Sequence, residues 1–275
     1  MQKLIPFTKA HGTGNDFVIL WQPECPYQVS NPDFIQKMCA RRTGVGADAL
    51  LLLSPIDDFD FQMDYYNSDG SWETFCANGA RCAALYMMRR GLAGHSIHFR
   101  AGDGNHRIEV DSEQDIRLKM TAPFPETDDL NIAGYLGCHI NSGAAHFVTP
   151  VRDFDESDVE QQARPIRYAD CFKPRGVNVN FYELLTPDHL RVLTYEKGIE
   201  RFMLSCGTGS VAAAFHAAGK NALSSPLRIS VPGGEYSLSF SPDWQDVWLS
   251  GPAVLLFSTS VTLADLNLMD GLSGD

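Results

Sequence analysis

Residues 61–90 read FQMDYYNSDGSWETFCANGARCAALYMMRR, and residues 190–220 read LRVLTYEKGIERFMLSCGTGSVAAAFHAAGK. In each stretch a β-rich run leads through a turn to a cysteine, Cys76 or Cys206, and then to an alanine-rich segment with the composition of a helix. A fainter similarity upstream of each cysteine joins residues 14–18 with residues 177–181. The two cysteines are about 130 positions apart, so this approximate repeat predicts two similar halves.

Elsewhere the chain is a series of short β-rich runs separated by turn residues, with few helical patterns. The predicted helices are Pro32–Ala40, Ala77–Arg90 and Thr208–Lys220. The predicted strands are Phe17–Leu20, Leu50–Leu53, Phe61–Tyr66, Ile97–Phe99, Ile116–Met120, Asn178–Leu184, Leu190–Tyr195, Leu227–Val231, Tyr236–Phe240 and Val247–Leu249. This pattern indicates an α+β chain. The segment Thr121–Asp129, with two prolines and three acidic residues, is the predicted linker between the halves.

Composition narrows the class of partner. With 275 residues and 44% apolar content, the chain can bury a substantial core. A net charge of −12 and scattered basic residues argue against a nucleic-acid partner, and no apolar run is long enough to cross a membrane. Seven cysteines do not form a secreted disulfide framework, and the first ten residues lack a signal-peptide pattern. We therefore expect a cytoplasmic protein with a small-molecule partner.

The repeated cysteines point to proton transfer. A cysteine just before a helix lies where unsatisfied backbone N–H groups and the positive end of the helix dipole meet, which favours thiolate and also binds anions. If the halves face each other, a substrate α-carboxylate bound at both helix starts would place its Cα between Cys76 and Cys206. One thiolate would then remove the α-proton while the opposite thiol delivers a proton to the other face.

The residues around the cysteines suit this chemistry. A carbanion beside a carboxylate is very unstable, so the site must supply fixed donors and exclude water. Gly79 and Gly209 permit close approach of the backbone, and Asn78 and Thr208 can add donors. A single cysteine at a helix start is more often a core residue than a catalyst, and it is the matching contexts of the two that favour function.

Other chemistries have weaker support. Residues 207–212 fit the dinucleotide-binding pattern G-x-G-x-x-A, but no acidic residue follows at the required distance. No Cys-x-x-Cys and no paired histidines indicate a metal site, so none is predicted. A thiol redox protein would normally have its cysteines close in sequence. Cys82 lies on the apolar face of the predicted helix and is expected to be structural.

Eight blocks of residues, in order and spacing, resemble the motif series of diaminopimelate epimerases over roughly residues 7–255. They are HGTGNDF (11–17), RTGVGAD (42–48), NSDGS (67–71), CANGARC (76–82), SGAAHFV (142–148), GVNVNF (176–181), YEKG (195–198) and SCGTG (205–209).

The resemblance implies the fold of that family: two pseudo-symmetric αβ domains, each a curled and mostly antiparallel sheet around a central helix. The alanine-rich segments would be the central helices. We expect an N-terminal domain over residues 1–120, completed by a returning strand around 258–275, and a C-terminal domain over residues 121–257.

The resemblance also implies an isomerase that interconverts LL- and meso-diaminopimelate for lysine and peptidoglycan synthesis, without pyridoxal phosphate, metal or other cofactor. Cys76 and Cys206 match the acid/base pair. The positions that match substrate contacts, or lie near the site, are Asn15, Asn67, Ala77, Asn78, Gly79, His146, Asn178, Glu196, Lys197, Gly207 and Thr208.

Several positions depart from the family pattern. Ala144 stands where the family has Asn or Ser, Lys197 replaces an arginine, and Phe202-Met203 replaces Glu-Thr. Ala77 replaces the glycine after the first cysteine. These departures leave open a racemase of another free amino acid on the same scaffold. An amino-acid-binding module without catalytic activity is a further alternative. A homodimer is one assembly that the sequence allows.

Overall fold

The computed structural model describes residues 3–268. Within this range the helices are α1 (Pro32–Cys39), α2 (Ala77–Arg89), α3 (Glu156–Arg167) and α4 (Gly207–Ala218). The strands are β1 (Ile5–Gly12), β2 (Asn15–Trp21), β3 (Ala49–Ser54), β4 (Phe61–Asn67), β5 (Trp72–Glu73), β6 (Ser96–Ala101), β7 (Gly104–Val110), β8 (Ile116–Lys119), β9 (Phe124–Pro125), β10 (Leu130–Ile132), β11 (Tyr135–Asn141), β12 (Ala145–Pro150), β13 (Asn178–Thr186), β14 (His189–Glu196), β15 (Arg201–Met203), β16 (Leu227–Val231), β17 (Gly234–Phe240), β18 (Val247–Gly251) and β19 (Val254–Val261). No helix in the described range has the length and apolarity needed to span a membrane.

The chain divides into two compact units. Their described parts are residues 3–118 with 252–268, and residues 119–251. The domain boundaries given above from sequence stay a prediction, and residues 269–275 of the predicted returning segment lie outside the described residues. Within the predicted linker, residues 124–125 form β9, which pairs with β11.

In the first unit, hydrogen-bonded strands follow the order β19-β1-β2-β3-β4-β6-β7-β8, and β5 pairs with the far end of β4. Pairing is antiparallel except for β2 with β3 and β4 with β6. Parallel neighbours need a crossover connection, and these two crossovers contain α1 and α2. Helix α2 packs against strands β1 to β4, β7 and β19, which makes it the central helix of this unit.

The second unit repeats this plan. The order β11-β12-β13-β14-β16-β17-β18 has two parallel pairs, β12 with β13 and β14 with β16, and the corresponding crossovers contain α3 and α4. Helix α4 packs against β11 to β14. The predicted repeat and α+β fold class are therefore confirmed, and both alanine-rich segments are central helices.

Packing on two faces explains the apolar runs. In β3, Leu50 and Leu52 face the cluster that includes α1, whereas Leu51 contacts Gly79 of α2 on the opposite face. A sheet covered on both faces requires apolar residues at successive positions, which is why residues 49–53 read ALLLL. The alanines of α2 and α4 keep each central helix narrow within its sheet, and most of their residues are fully buried.

Ten predicted strands and three predicted helices are present, with ends that differ by at most two residues. Elements missing from the prediction include β1, β7, β11, β12 and α3. Helix α3 was missed because it is polar and contains Pro165, although Asp155 and Asp158 form a capping box at its start and Val159, Ala163 and Ile166 are buried at helical spacing. Strand β11 contains Gly137 where an added Cβ would meet the carbonyl oxygen of Val148 at 2.3 Å, and this glycine weakens the strand pattern.

Candidate functional site

Cys76 is the N-cap residue of α2. Its backbone is extended, its carbonyl oxygen accepts the first helical hydrogen bond from Ala80 N–H at 2.8 Å, and its Sγ accepts from Gly79 N–H at 3.5 Å. The sulfur thus takes the place of the oxygen that serine or threonine supplies at most helix starts. The predicted position of this cysteine at the start of the central helix is confirmed.

Two asparagine amides lie beside this sulfur. Asn15 Oδ1 is 3.7 Å from Cys76 Sγ and accepts a hydrogen bond from Asn78 Nδ2 at 3.4 Å. Both asparagines are at least nine-tenths buried. Because an amide oxygen can only accept, the contact between Asn15 and Cys76 uses the thiol hydrogen.

Charged groups stand at both ends of this pair of amides. Asp48 Oδ2 accepts from Asn15 Nδ2 at 3.0 Å, and Arg81 Nη2 donates to Asn78 Oδ1 at 2.7 Å. Neighbouring Asp16 binds Lys9 and Arg41. Burial works against its ionisation, but the hydrogen bonds from Arg41 and Lys9 outweigh burial and hold the pKa of the Asp16 carboxyl well below its usual value. The start of α2 therefore lies on a charged, fully hydrogen-bonded support.

The other predicted residues of the first unit are Asn67, Ala77 and Gly79. Ala77 is the first residue of α2, and an added Cβ at Gly79 would meet Leu51 Cδ2 at 3.0 Å. The side-chain amide of Asn67 accepts from Tyr65 Oη at 3.0 Å and donates to Ser71 Oγ at 3.1 Å. Asn67 thus fixes the turn that follows β4.

Cys206 occupies the same position at α4. Its backbone is again extended, and its carbonyl oxygen accepts from Ser210 N–H at 3.0 Å and from Ser210 Oγ at 2.9 Å. The Sγ of Cys206 lies 3.6 Å from Thr208 Oγ1. Gly207 is the first helical residue, and the carbonyl oxygen of Thr208 accepts from the buried Ser142 Oγ at 2.8 Å, which ties the β11–β12 turn to the helix.

A buried imidazole lies behind Thr208. His146 Nε2 is 3.0 Å from Thr208 Oγ1 and Nδ1 is 2.8 Å from Asn180 Oδ1, while Asn180 Nδ2 donates to Thr194 Oγ1 at 2.6 Å. Burial lowers the pKa of His146 to about 4, although the Asn180 hydrogen bond opposes this. A neutral imidazole that donates through Nδ1 must accept at Nε2, so the Thr208 hydroxyl donates to His146 and offers only lone pairs to Cys206.

Strand β14 ends at Glu196, and Lys197 begins the turn that follows it. The position of this turn is fixed by Asn178, whose Oδ1 accepts from the backbone N–H of Lys197 at 2.8 Å. Asn178 is the first residue of β13 and is paired in register with His146. The side chain of Lys197 is exposed, and Ala144 in the β11–β12 turn has no polar side-chain group.

Within each unit the structure therefore groups most of the predicted residues at one helix start. The first unit contains Asn15, Asn67, Cys76, Ala77, Asn78 and Gly79, and the second contains His146, Asn178, Glu196, Lys197, Cys206, Gly207 and Thr208. Cys82 is buried inside α2, where burial raises the pKa of its thiol to about 12, in keeping with the expected structural role. Within residues 3–268 no cluster of three or more His, Cys, Asp or Glu is arranged to hold a metal ion.

Sequence reasoning missed the residues that support these groups: Asp48, Arg81, Asn180 and Thr194. Asp48 and Arg81 lie inside quoted motif blocks, but an arginine in a helix is usually read as a surface residue. Asn180 had a usable signal, because Asn178 and Asn180 interrupt an apolar strand at spacing two and so share one face.

The sequence is similar to those of known proteins along most of its length. The sequence model of the family described as Diaminopimelate epimerase matches residues 7–124 and 138–256. Diaminopimelate epimerase of Aquifex aeolicus is 36% identical over 266 residues, which cover 91% of this chain and 95% of that protein. The corresponding enzyme of Chlorobaculum tepidum is 36% identical over 257 residues, which cover 92% and 99%.

Solved structures with the same fold are far more distant in sequence. A hydroxyproline epimerase from Agrobacterium vitis, with bound trans-4-OH-L-proline, has a TM-score of 0.72 at 15% identity and covers 96% of this chain and 94% of that one. A probable proline racemase from Agrobacterium radiobacter K84 has a TM-score of 0.71 at 16% identity, with 94% and 93% covered. At such identities the likeness concerns the fold. On the match of the family model and of relatives along nearly the whole length, the chain belongs to the diaminopimelate epimerase family.

Proposed function

We propose that the protein interconverts LL- and meso-diaminopimelate by a two-thiol acid/base reaction that requires no cofactor. The observation that carries the proposal is the occurrence of a cysteine at the N-cap of the central helix in both repeats, Cys76 and Cys206. The proposed substrate is taken from the names of the relatives that match over nearly the whole chain, which are diaminopimelate epimerases.

The proposed reaction exchanges one proton for another. A thiolate takes the α-hydrogen, so a C–H bond breaks, an S–H bond forms, and the electron pair passes to Cα and its carboxylate. The second thiol then gives its hydrogen to the opposite face of Cα and becomes the thiolate. The positive ends of the α2 and α4 helix dipoles are suited to hold the carboxylate as its charge grows.

Glu196, Lys197, Asn67 and Asn178 are proposed to select the distal amino-acid end. The hydrogen bond from Lys197 N–H to Asn178 supports this, because it fixes the backbone from which both charged side chains extend. Lysine presents a compact charge where an arginine would present a planar fork, so the distal carboxylate would be held with less directional specificity.

The same departure favours a second candidate, a racemase of another free amino acid. The two candidates differ in what Lys197→Met does. For diaminopimelate, losing the charged contact should lower kcat/KM, by an amount that corresponds to about 1.5–3 kcal/mol of transition-state stabilisation. A substrate without a distal carboxylate should be almost unaffected.

We also propose a cytoplasmic location and a homodimer. All seven cysteines are free thiols, which is typical of proteins in a reducing compartment. Leu256 and Phe257 on β19 are each 51% exposed, and a second copy could cover this apolar surface. Sedimentation of the purified protein, compared with a Leu256→Lys variant, tests the assembly.

The function is tested by incubating the purified, chelator-treated protein with LL-diaminopimelate in deuterated water without any cofactor. We expect deuterium at Cα together with the meso product. A panel of free L-amino acids, assayed in parallel with wild-type and Lys197→Met protein, identifies the substrate. A clearly better substrate from that panel would replace diaminopimelate, and no α-exchange in any of them would overturn the two-thiol reaction.

A further inference from the structure

Arg81 is a fully buried cation in the central helix α2, one turn after the cysteine. Its Nη2 donates to Asn78 Oδ1 at 2.7 Å and to Thr13 Oγ1 at 3.1 Å, and its Nη1 donates to the carbonyl oxygen of Ala77 at 3.4 Å. Burying a guanidinium is costly unless its donors are used, and here they bind Ala77 and Asn78 at the start of the helix and Thr13 in the turn after β1. Its position therefore calls for a role beyond packing.

Arg81 fixes the direction of the first amide. A guanidinium has donors and no acceptors, so the atom of Asn78 that faces it must be the oxygen. The Nδ2 group of Asn78 is then directed away from Arg81, and it donates to Asn15 Oδ1 at 3.4 Å. The donor-only group thus fixes the direction of the Asn78 side chain.

Asp48 fixes the second amide from the opposite end. An ionised carboxylate only accepts, so the atom of Asn15 that faces Asp48 Oδ2 must be Nδ2. Asp48 is itself held by Arg41, whose Nη2 lies 2.7 Å from Oδ1. The two ends agree, because both place Asn15 Oδ1 between Asn78 Nδ2 and the sulfur of Cys76.

We propose that Arg81 and Asp48 are positioning residues that hold the Asn15 side chain with its oxygen, and not its amide nitrogen, toward Cys76. The series Arg81, Asn78, Asn15 and Asp48 is called the amide chain below. Arg81 acts through Asn78, and Asp48 acts through Asn15.

The orientation decides which form of Cys76 is favoured. An oxygen facing the sulfur accepts from S–H and stabilises the thiol, whereas a reversed amide would present N–H and stabilise the thiolate. The amide chain therefore opposes the capping N–H of Gly79, which favours thiolate. This inference rests on the proposed function for its catalytic meaning, but its physical content concerns the thiol alone.

The test measures Cys76 directly. In the full-length protein, the iodoacetamide alkylation rate of Cys76 is followed from pH 6 to 10 by peptide mass spectrometry, with Cys206 in the same digest as an internal control. Asp48→Asn allows the Asn15 amide to reverse, and Arg81→Gln replaces a donor-only group by an amide that can donate or accept, so the Asn78 amide can reverse as well. Asp16→Asn is the matched control, because it removes a neighbouring negative charge and leaves the bond between Asp48 and Asn15 in place.

We expect the alkylation midpoint of Cys76 to move to lower pH by about 0.5–1 unit in Asp48→Asn and Arg81→Gln, roughly a threefold to tenfold faster reaction on the acidic side. Loss of the Arg81 charge by itself would move the midpoint the other way. The Cys206 midpoint should stay fixed, and kcat should fall roughly tenfold. If Asp48→Asn does not fold, Arg81→Gln decides alone. An unmoved Cys76 midpoint in the folded variants, or an equal movement in Asp16→Asn, would overturn the proposal.

The outcomes separate this inference from the proposed function. Absence of epimerisation in wild-type protein, together with a moved midpoint in the variants, would remove the function and keep the positioning role. Epimerisation by wild-type protein, together with unmoved midpoints in the variants, would keep the function and remove the positioning role.

Discussion

The starts of α2 and α4 have the same backbone plan and different chemistry. Each begins at an extended cysteine after a strand and turn, yet Cys76 is supported by amides that end on Asp48 and Arg81, whereas Cys206 is supported by Thr208 and His146. The first series ends on groups that only accept or only donate, so its direction is fixed. The second ends on the Thr194 hydroxyl, a group that can do both. Duplication of the fold therefore preserved the place of the sulfur but not the way its proton is controlled.

The largest expected effect tests whether the two starts act on one reaction. Cys76→Ala and Cys206→Ala should each lower epimerisation by roughly 10²–10⁴-fold or more, because one face of Cα loses its acid/base partner. In deuterated water, the remaining thiol should still exchange the α-hydrogen of one stereoisomer with retention. The two variants should therefore label opposite isomers, which proton NMR resolves. If both variants labelled the same isomer, the two cysteines would not serve opposite faces.

Lowering the pH should weaken the support of the α4 start more than that of the α2 start. The pKa of buried His146 is lowered to about 4 from an ordinary 6.5, so the unfolded chain binds a proton first as the pH falls. The stability from neutral His146 is present above about pH 6.5 and is lost toward pH 4, by on the order of 3 kcal/mol. Over that range Asp16 of the first unit stays ionised, because its pKa is below its ordinary value of 3.8.

Urea unfolding of wild-type and His146→Gln protein between pH 7 and 4 measures this difference, since the other titrating groups are common to both. The variant should lose less stability over this range. Parallel curves for the two proteins would mean that His146 does not resist protonation.

Alanine at the matching glycines should have unequal effects. A Cβ at Gly209 would lie 2.3 Å from Asn180 Nδ2, and the Asn180 amide is hydrogen-bonded at both its nitrogen and its oxygen. Gly209→Ala should therefore destabilise the protein by about 1–3 kcal/mol. A Cβ at Gly79 would meet the flexible end of the Leu51 side chain at 3.0 Å and Phe17 Cε1 at an ordinary 3.5 Å, and alanine favours the helix by up to about 1 kcal/mol. Gly79→Ala should therefore be close to neutral in urea unfolding. Equal losses would show that the two starts are equally rigid.

The smallest effect concerns the Thr208 hydroxyl. Thr208→Val removes the group between Cys206 and His146 and should lower kcat by roughly tenfold, about 1–1.5 kcal/mol. Thr208→Ser keeps the hydroxyl and should retain nearly full activity. A valine variant as active as the serine variant would show that the second series does not govern Cys206.

The sequence predicted these sites unevenly. The two cysteines, the central helices and the repeat are local patterns, and each was found. Arg81 and Asp48 were not found, because their role depends on Asn78 and Asn15. Within the amide chain, Asn15 is 33 positions from Asp48 and 63 from Asn78, so no local pattern joins them. Strand β1 was missed for another reason: Pro6 and the buried Lys9 weaken its apolar pattern, even though it forms a hairpin with the predicted strand β2.

The pairing of β1 with β19 also has a consequence for synthesis. Ile5 lies opposite Val261, so the first unit lacks a strand until nearly the whole chain has left the ribosome, whereas residues 119–251 are continuous. We expect the second unit to fold first during translation, while the earlier half waits with β1 unpaired on one side. The half that is made first would be the half that folds last, and its exposed strand edge would be open to nascent-chain chaperones during that interval.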